Sequence, residues 1–259
     1  MRNGLRARLA ADRPCVNGWL SMSNGYGAEL MTRCSWDSLT VDLQHGVHDY
    51  ASMVACFQGI RFSGIPPLAR VASLDSGMIG KALDAGAWGI ICPMINSRQE
   101  AADFVSACLY PPLGRRSNGP NRAAGYGEPQ ASYQSFANEE VLVIPMIETG
   151  EAVESLDDIL DVPGVSGVYI GPSDLAVSMG HPPTFDTEIP EILAIYRRIV
   201  AATHRRGQFA GIHCLSADYA ARMTQMGLQL VTISSDGLLM TAGALQALDR
   251  FRSGIGERE

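Results

Sequence analysis

Eight short, apolar, β-rich segments recur along this chain with helix-like stretches between them, and that rhythm limits the fold more than any other feature. The strand candidates are 16–21, 39–43, 67–71, 89–93, 141–147, 167–171, 209–214 and 230–234. Apolar residues at helical spacing fill intervening stretches such as 97–108, 152–160 and 191–204. Ser97 and Glu100 have capping-box spacing at one helix start, and Gly86 and Gly227 end helices ahead of the next strand. A weak internal echo, Gly86-Ala87-Trp88-Gly89-Ile90-Ile91-Cys92-Pro93 against Gly164-Val165-Ser166-Gly167-Val168-Tyr169-Ile170-Gly171-Pro172, points to a repeated unit. Eight strands alternating with helices in about 250 residues match a (β/α)8, or TIM, barrel. A doubly wound open sheet allows the same alternation, but eight units and no linker favour one barrel domain over residues 1–259.

Composition bears on partners and location. Basic residues number 20 against 27 acidic ones, a formal net charge of −7, whereas a nucleic-acid surface calls for a basic patch. Hydrophobic residues make up 46%, enough for a sizeable core. No apolar run approaches the ~20 residues of a membrane helix. Met1-Arg2-Asn3-Gly4-Leu5-Arg6 holds no apolar signal core, and the six cysteines show no Cys-x-x-Cys. Both features predict a cytoplasmic protein with reduced thiols. The stretch 110–122 is rich in Pro, Gly and Arg and has no helical period. Loops of that length inside a domain are usually functional or disordered, and strand patterns resume on both sides, which argues against a linker.

In such a barrel the chemistry sits where strands end and βα loops begin. Strand two ends in Asp42-Leu43-Gln44-His45, strand three in Arg70, strand five in Glu148, and strand six in Gly171-Pro172-Ser173-Asp174. Singly, each has an ordinary structural use: Asp174 as a helix cap, Glu148 beside a helix dipole, Arg70 in a structural ion pair. Together they converge on one rim. Glu148 and Asp174 end adjacent strands, about 4.8 Å apart, where two bare carboxylates repel unless a cation lies between them. With no Cys pair and no His-x-x-x-His, they suit a hard divalent ion such as Mg²⁺ or Mn²⁺. The alternative is an acid–arginine pair. His45 follows Asp42 by three residues, so a carboxylate on one ring nitrogen would make the other a general base; a loop histidine bonded to backbone is the alternative. His48 reads as surface or supporting. Arg70 supplies a fixed cationic fork for a carboxylate or an enolate oxygen.

Other chemistries fit less well. Gly25-Tyr26-Gly27 lacks the third glycine of a dinucleotide fingerprint, replaced by Leu30, and no Gly-x-Ser-x-Gly elbow exists. Asp236, after strand eight, would oppose a phosphate there. Lys81 is the only lysine and falls in a helical segment, so Schiff-base chemistry is nearly excluded.

Taken in order, Asp42-x-x-His45, Arg70, Leu83-Asp84-x-Gly86-Ala87, Tyr110-Pro111-Pro112-Leu113-Gly114-x-Arg116, Glu148 and Gly171-Pro172-x-Asp174-Leu175 resemble the 4-hydroxy-2-oxoheptanedioate aldolase family, the metal-dependent class II pyruvate aldolases. The resemblance covers nearly the whole chain, and its Tyr-Pro-Pro-Leu-Gly and Gly-Pro-x-Asp-Leu segments are the specific ones. It implies cleavage of 4-hydroxy-2-oxo acids to pyruvate, or a related 2-oxo acid, and an aldehyde. It assigns Glu148 and Asp174 to a divalent metal (Mg²⁺ or Mn²⁺, with Co²⁺ acceptable) and His45 to the base, with Asp42. It assigns Arg70 to the enolate, and the backbone near Ser173 and Asp174 to the substrate carboxylate, with Trp19 a further contact. It also implies a homohexamer, a trimer of dimers that swap the last helix, with Asp84 supplied by a neighbouring subunit.

Three departures bear on selectivity. The family's Asp-Gly-Glu-His is Asp42-Leu43-Gln44-His45 here, Met146 stands where a glutamine is common, and His213-Cys214 ends strand seven where small or apolar residues are expected. His213 is thereby a further candidate for substrate contact. Decarboxylation, cleavage of a related 2-hydroxy acid, and a non-catalytic barrel that binds a small acid remain as alternatives.

Overall fold

The computed structural model describes residues 3–125 and 130–255. Its strands are β1 (Cys15–Leu20), β2 (Ser38–Asp42), β3 (Pro67–Arg70), β4 (Gly89–Cys92), β5 (Leu142–Ile147), β6 (Gly167–Ile170), β7 (Phe209–Cys214) and β8 (Leu230–Ile233). Each lies within one residue of its expected bounds. The helices up to the long loop are α1 (Gly4–Ala10), α2 (Gly25–Met31), α3 (Tyr50–Ile60), α4 (Ser76–Asp84) and α5 (Arg98–Cys108). After the loop come α6 (Gln130–Glu140), α7 (Gly150–Glu154), α8 (Leu156–Leu160), α9 (Pro172–Ser178), α10 (Pro190–His204), α11 (Ala217–Met226) and α12 (Asp236–Gly254). The strands pair in parallel in chain order and β8 returns to β1, so the sheet is a closed barrel and not an open one.

Side chains of a strand alternate between two faces, and in a closed barrel one of those faces is the interior. Leu39 and Val41, Ala69, Ile90, Val143, Val168 and Ile212 point outward into the core beneath the helices. Cys15, Trp19, Leu68, Ile91, Ile144, Tyr169 and Leu230 point inward. A polar belt crosses the interior: Ser38 and Thr40 hydroxyls and the Asn17 amide share hydrogen bonds, Asn17 Nδ2 donates to Thr232 Oγ1 at 2.9 Å, and the Tyr169 hydroxyl donates to the same oxygen at 2.6 Å. Because every member has a partner, the belt carries no desolvation penalty for lone groups. At the N-terminal end, Leu5 and Leu9 of α1 plug the barrel.

Local signals are honoured with three exceptions. Ser97 accepts from the Glu100 amide as expected, although Glu100 reaches back to the Asn96 amide and not that of Ser97. Gly86 and Gly227 adopt φ of 108° and 107°, the left-handed turn that lets a helix stop. The stretch 152–160 is two short helices broken at Ser155, and α6 was not apparent in the periodicity.

The loop 110–122 belongs to the N-terminal face, because α5 runs down the barrel and delivers the chain there. Arg116, 5% exposed, lies over the Tyr110 ring at 4.4 Å and donates to Asp84 Oδ1 at 2.7 Å. Lys81 is exposed on α4, where it sits 4.7 Å over the Tyr50 ring. On α12, Leu238, Met240, Leu245, Leu248 and Phe251 are all exposed, and Asp236 is its one buried residue.

The α1 plug yields a direct expectation. Leu5 is fully buried, so Leu5→Ala should lower the unfolding free energy by about 2–5 kcal/mol. Urea titration followed by circular dichroism measures this; an unchanged midpoint would mean that α1 does not seal the barrel.

Candidate active site

Parity along the strands assembles the rim. The alternation that turns Thr40 inward also turns Asp42, Leu68 implies Arg70, Asn17 implies Trp19, and Gly211 implies His213. Asp42 is 3% exposed and receives five N–H groups. Arg70 donates Nε to Oδ1 at 2.8 Å and Nη2 to Oδ2 at 2.6 Å, and the Trp19 indole donates to Oδ2 at 3.2 Å. The amides of Gln44 and His45 reach Oδ1 at 3.1 and 3.4 Å. Burial raises the Asp42 carboxyl, but the Arg70 fork, helped by Gln44 and Trp19, outweighs it and holds the group below the usual carboxylate range. The Arg70 guanidinium also lies 4.9 Å over the Trp19 ring.

This geometry corrects one expectation. Asp42 does not bond the imidazole of His45; it grips the His45 backbone amide, leaving the side chain exposed at the rim. The physical reason is local: an aspartate side chain readily bonds amides two and three residues on, and Arg70 takes its remaining lone pairs. His48, read from the sequence as surface or supporting, is half-buried in the loop ahead of α3, with Nδ1 3.2 Å from the Ser52 hydroxyl.

Glu148 follows β5 directly and is 2% exposed. Its Oε1 accepts from the Met94 amide at 2.7 Å, and Met94 adopts φ 57° after β4, a left-handed turn that aims the N–H inward. Gly171 lies against the carboxylate, where a Cβ would collide with Oε2 and with the Met146 methyl. Burial, with the charge of Asp174 added, pushes the Glu148 carboxyl up to about 7, against the Met94 amide and Arg70. Asp174 is exposed in the first turn of α9, next to Ser173, after Gly171 and Pro172. Neighbouring Cys92 is pushed up to about 12 by burial, with Glu148 contributing, and so stays a thiol. The donor set is therefore two carboxylates, with no cluster of three or more His, Cys, Asp or Glu groups among the described residues. A buried carboxylate with one oxygen facing a glycine-lined space fits a hard cation that keeps several water or substrate oxygens.

His213 stands opposite its β8 register partner Thr232 and meets Trp19 edge-on, ring centroids 4.9 Å apart. Asp84 is not on this rim. It ends α4, at the N-terminal face, and pairs with Arg116. Cavities of about 400 and 550 Å³ also open toward that face, lined by Leu142 with Phe209 and by Pro67 with Trp88. Sequence reasoning missed Met94, whose contribution is a backbone amide, and Phe185, which reaches His213 from an irregular segment. Asp236 accepts the Ser21 amide at 2.8 Å and holds the loop after β1 in place, a contact that the sequence did not reveal.

The raised Glu148 sets a pH dependence whose sign follows from linkage. With the folded value above the ordinary 4.5, its stabilising share is present at low pH and lost as pH rises through about 7. In chelator, Glu148→Gln should therefore exceed the parent in Tm at pH 8, and the gain should vanish by pH 4. Parallel Tm curves across that range would show that the carboxylate is not desolvated.

Known proteins bear out the kinship that these residues suggest. Residues 17–242 match the family model described as HpcH/HpaI aldolase/citrate lyase. A hydroxypyruvate/pyruvate aldolase of Rhizorhabdus wittichii is 37% identical over 97% of this chain and 99% of its own. A 4-hydroxy-2-oxo-heptane-1,7-dioate aldolase of Escherichia coli is 32% identical over 97% and 95%. The solved structure of a family protein from Burkholderia cenocepacia superposes with a TM-score of 0.90 at 30% identity, covering 96% of this chain and 99% of that one. Extended along almost its full length in sequence and in fold, this agreement makes the chain a member of the HpcH/HpaI aldolase/citrate lyase family.

Proposed function

We propose that this protein is a metal-dependent aldolase that reversibly cleaves 4-hydroxy-2-oxo acids to pyruvate, or a related 2-oxo acid, and an aldehyde. One observation carries the reading: a buried Glu148 with Asp174 beside it, facing the Arg70–Asp42 clamp across a rim that also bears an exposed His45. Glu148 and Asp174 would hold Mg²⁺ or Mn²⁺, with Co²⁺ acceptable, and the bound ion supplies Lewis acidity toward the 2-oxo acid.

The chain's own groups account for the remaining steps. His45, whose exposed imidazole is not bonded to Asp42, takes the proton of the 4-hydroxyl, directly or through water. The C3–C4 bond breaks, the aldehyde departs, and the electron pair becomes the enolate of the 2-oxo acid, later protonated at C3. Arg70 spends Nε and one Nη2 hydrogen on Asp42, which leaves its Nη1 side for the enolate oxygen. Asp42 is thus a positioning residue for Arg70. The amides of Ser173 and Asp174 receive the substrate carboxylate, since Gly171 has no side chain to cap them. Trp19 and His213 line the rest of the mouth.

Assembly belongs to the same reading. The apolar residues exposed on α12 support a helix exchanged between subunits, and the placement of Asp84 at the far face supports its service to a neighbour's rim, in a hexamer built from dimers. Small-molecule substrates, acidic net charge and free cysteines support a cytoplasmic enzyme without nucleic-acid partners. No described helix is long and apolar enough to cross a membrane.

Chelator should abolish pyruvate release from a 4-hydroxy-2-oxo acid, and Mn²⁺, Co²⁺ or Mg²⁺ should restore it. Asp174→Asn should weaken metal binding by calorimetry. His45→Ala should lower kcat by ~10²–10⁴ while metal still binds. Borohydride with pyruvate should leave the mass unchanged, because Lys81 lies exposed on α4 over the Tyr50 ring and not at a strand end. A pyruvate adduct on Lys81, or full turnover in chelator, would sink the mechanism.

A further inference from the structure

The β7–β1 side of the barrel mouth is aromatic, and one of its rings is polar. His213 contacts Trp19 edge-on at 4.9 Å and Phe185 at 5.6 Å, the latter reaching in from the segment between α9 and α10. All other β7 residues are buried, whereas His213 is half-buried. Neither imidazole nitrogen is engaged by another described residue, and neither is sealed off as an orphaned buried atom, so both are open to solvent. Burial, then the Arg70 guanidinium, push this imidazole down to about 4 against the pull of Asp42 and Asp186. At neutral pH the ring is uncharged, with one N–H donor and one bare acceptor.

Such a group suits a hydroxyl, which donates and accepts at once. A carboxylate finds no positive charge on it. A methyl group strips water from both nitrogens and returns nothing, the situation in which a polar site discriminates most strongly. The 2-oxo acid would occupy the corner held by Glu148 and Asp174, after β5 and β6. His213 faces the rest of the mouth, with Trp19 beyond it.

We propose that His213 selects the acceptor: its imidazole hydrogen-bonds a hydroxyl on the aldehyde, so hydroxyaldehydes are preferred to alkyl aldehydes of equal size. The assignment rests on the aldolase reading above and adds the substrate class to it.

Glycolaldehyde and propanal differ by a hydroxyl in place of a methyl, so the ratio of their kcat/KM values with pyruvate isolates the contact. His213→Leu should lower that ratio about 5–10-fold, the worth of one hydrogen bond made against an unpaired group. His213→Gln keeps a donor and an acceptor and should recover most of the preference. An unchanged ratio in His213→Leu, or equal losses with both aldehydes, would overturn the assignment. So would a loss that tracks a hydroxyl on the donor, seen by exchanging hydroxypyruvate for pyruvate with the aldehyde held constant. Deuterium exchange into the pyruvate methyl group, followed by NMR without any aldehyde, reports enolate formation separately. Its absence in the parent would remove the aldolase reading itself; exchange beside an unchanged ratio would remove only the role of His213.

Discussion

A parallel barrel that closes on itself has no free edge, and half of every strand's side chains must fit inside it. That packing constraint governs this molecule more than any single contact. It demands small residues where large ones cross: a Cβ on Gly211 would press on the Tyr169 ring and the Leu230 backbone. It also makes the interior layered, from Leu5 and Leu9 at one end, through the polar belt of Asn17, Thr232 and Tyr169, to the charged rim. Since the period is two, a residue two beyond an inward core position is inward as well. Trp19, Asp42, Arg70 and His213 therefore reach the mouth without any special turn.

Electrostatics then divides the rim in two. On one side Asp42 is saturated with N–H donors and stays ionised, and its partner Arg70 is immobilised as a result. On the other side Glu148 has a single amide on Oε1 and is buried, so its charged form is costly without a cation. Two carboxylates in one barrel mouth thus carry opposite shifts, set by donors in the first case and by desolvation in the second. The first is a fixed scaffold for a cationic fork, and the second keeps its charge only at a desolvation cost.

The two ends of the barrel also have different tasks. The rim presents reactive groups on βα loops, while the N-terminal face carries the Arg116–Asp84 pair, the loop 110–122 and the plug from α1. Arg116 is nearly sealed, lying over the Tyr110 ring and donating to the Tyr133 hydroxyl, an arrangement that fixes the loop as a rigid part of the surface. Along α12 a row of apolar residues is left open, a larger exposed apolar surface than elsewhere on the helices.

Eight strands, their bounds within a residue, and the convergence of Asp42, Arg70, Glu148 and Asp174 at strand ends were all legible in the chain. Each depends on local periodicity and on the rule that βα loops face one way. The carboxylate pair was legible too, because adjacent strands keep a fixed spacing whatever the loops do. The partner of Asp42 was not. Whether its carboxylate meets an imidazole, an amide or a guanidinium depends on side chains from β1, β2 and β3 competing for the same lone pairs, and only their packed positions decide that. The same holds for Met94, which acts through a backbone amide that any residue type carries, and for Phe185, placed by an irregular segment. Alternation and spacing are one-dimensional and survive in the sequence; the allocation of hydrogen-bond donors and the desolvation that raises Glu148 exist only once the barrel has closed.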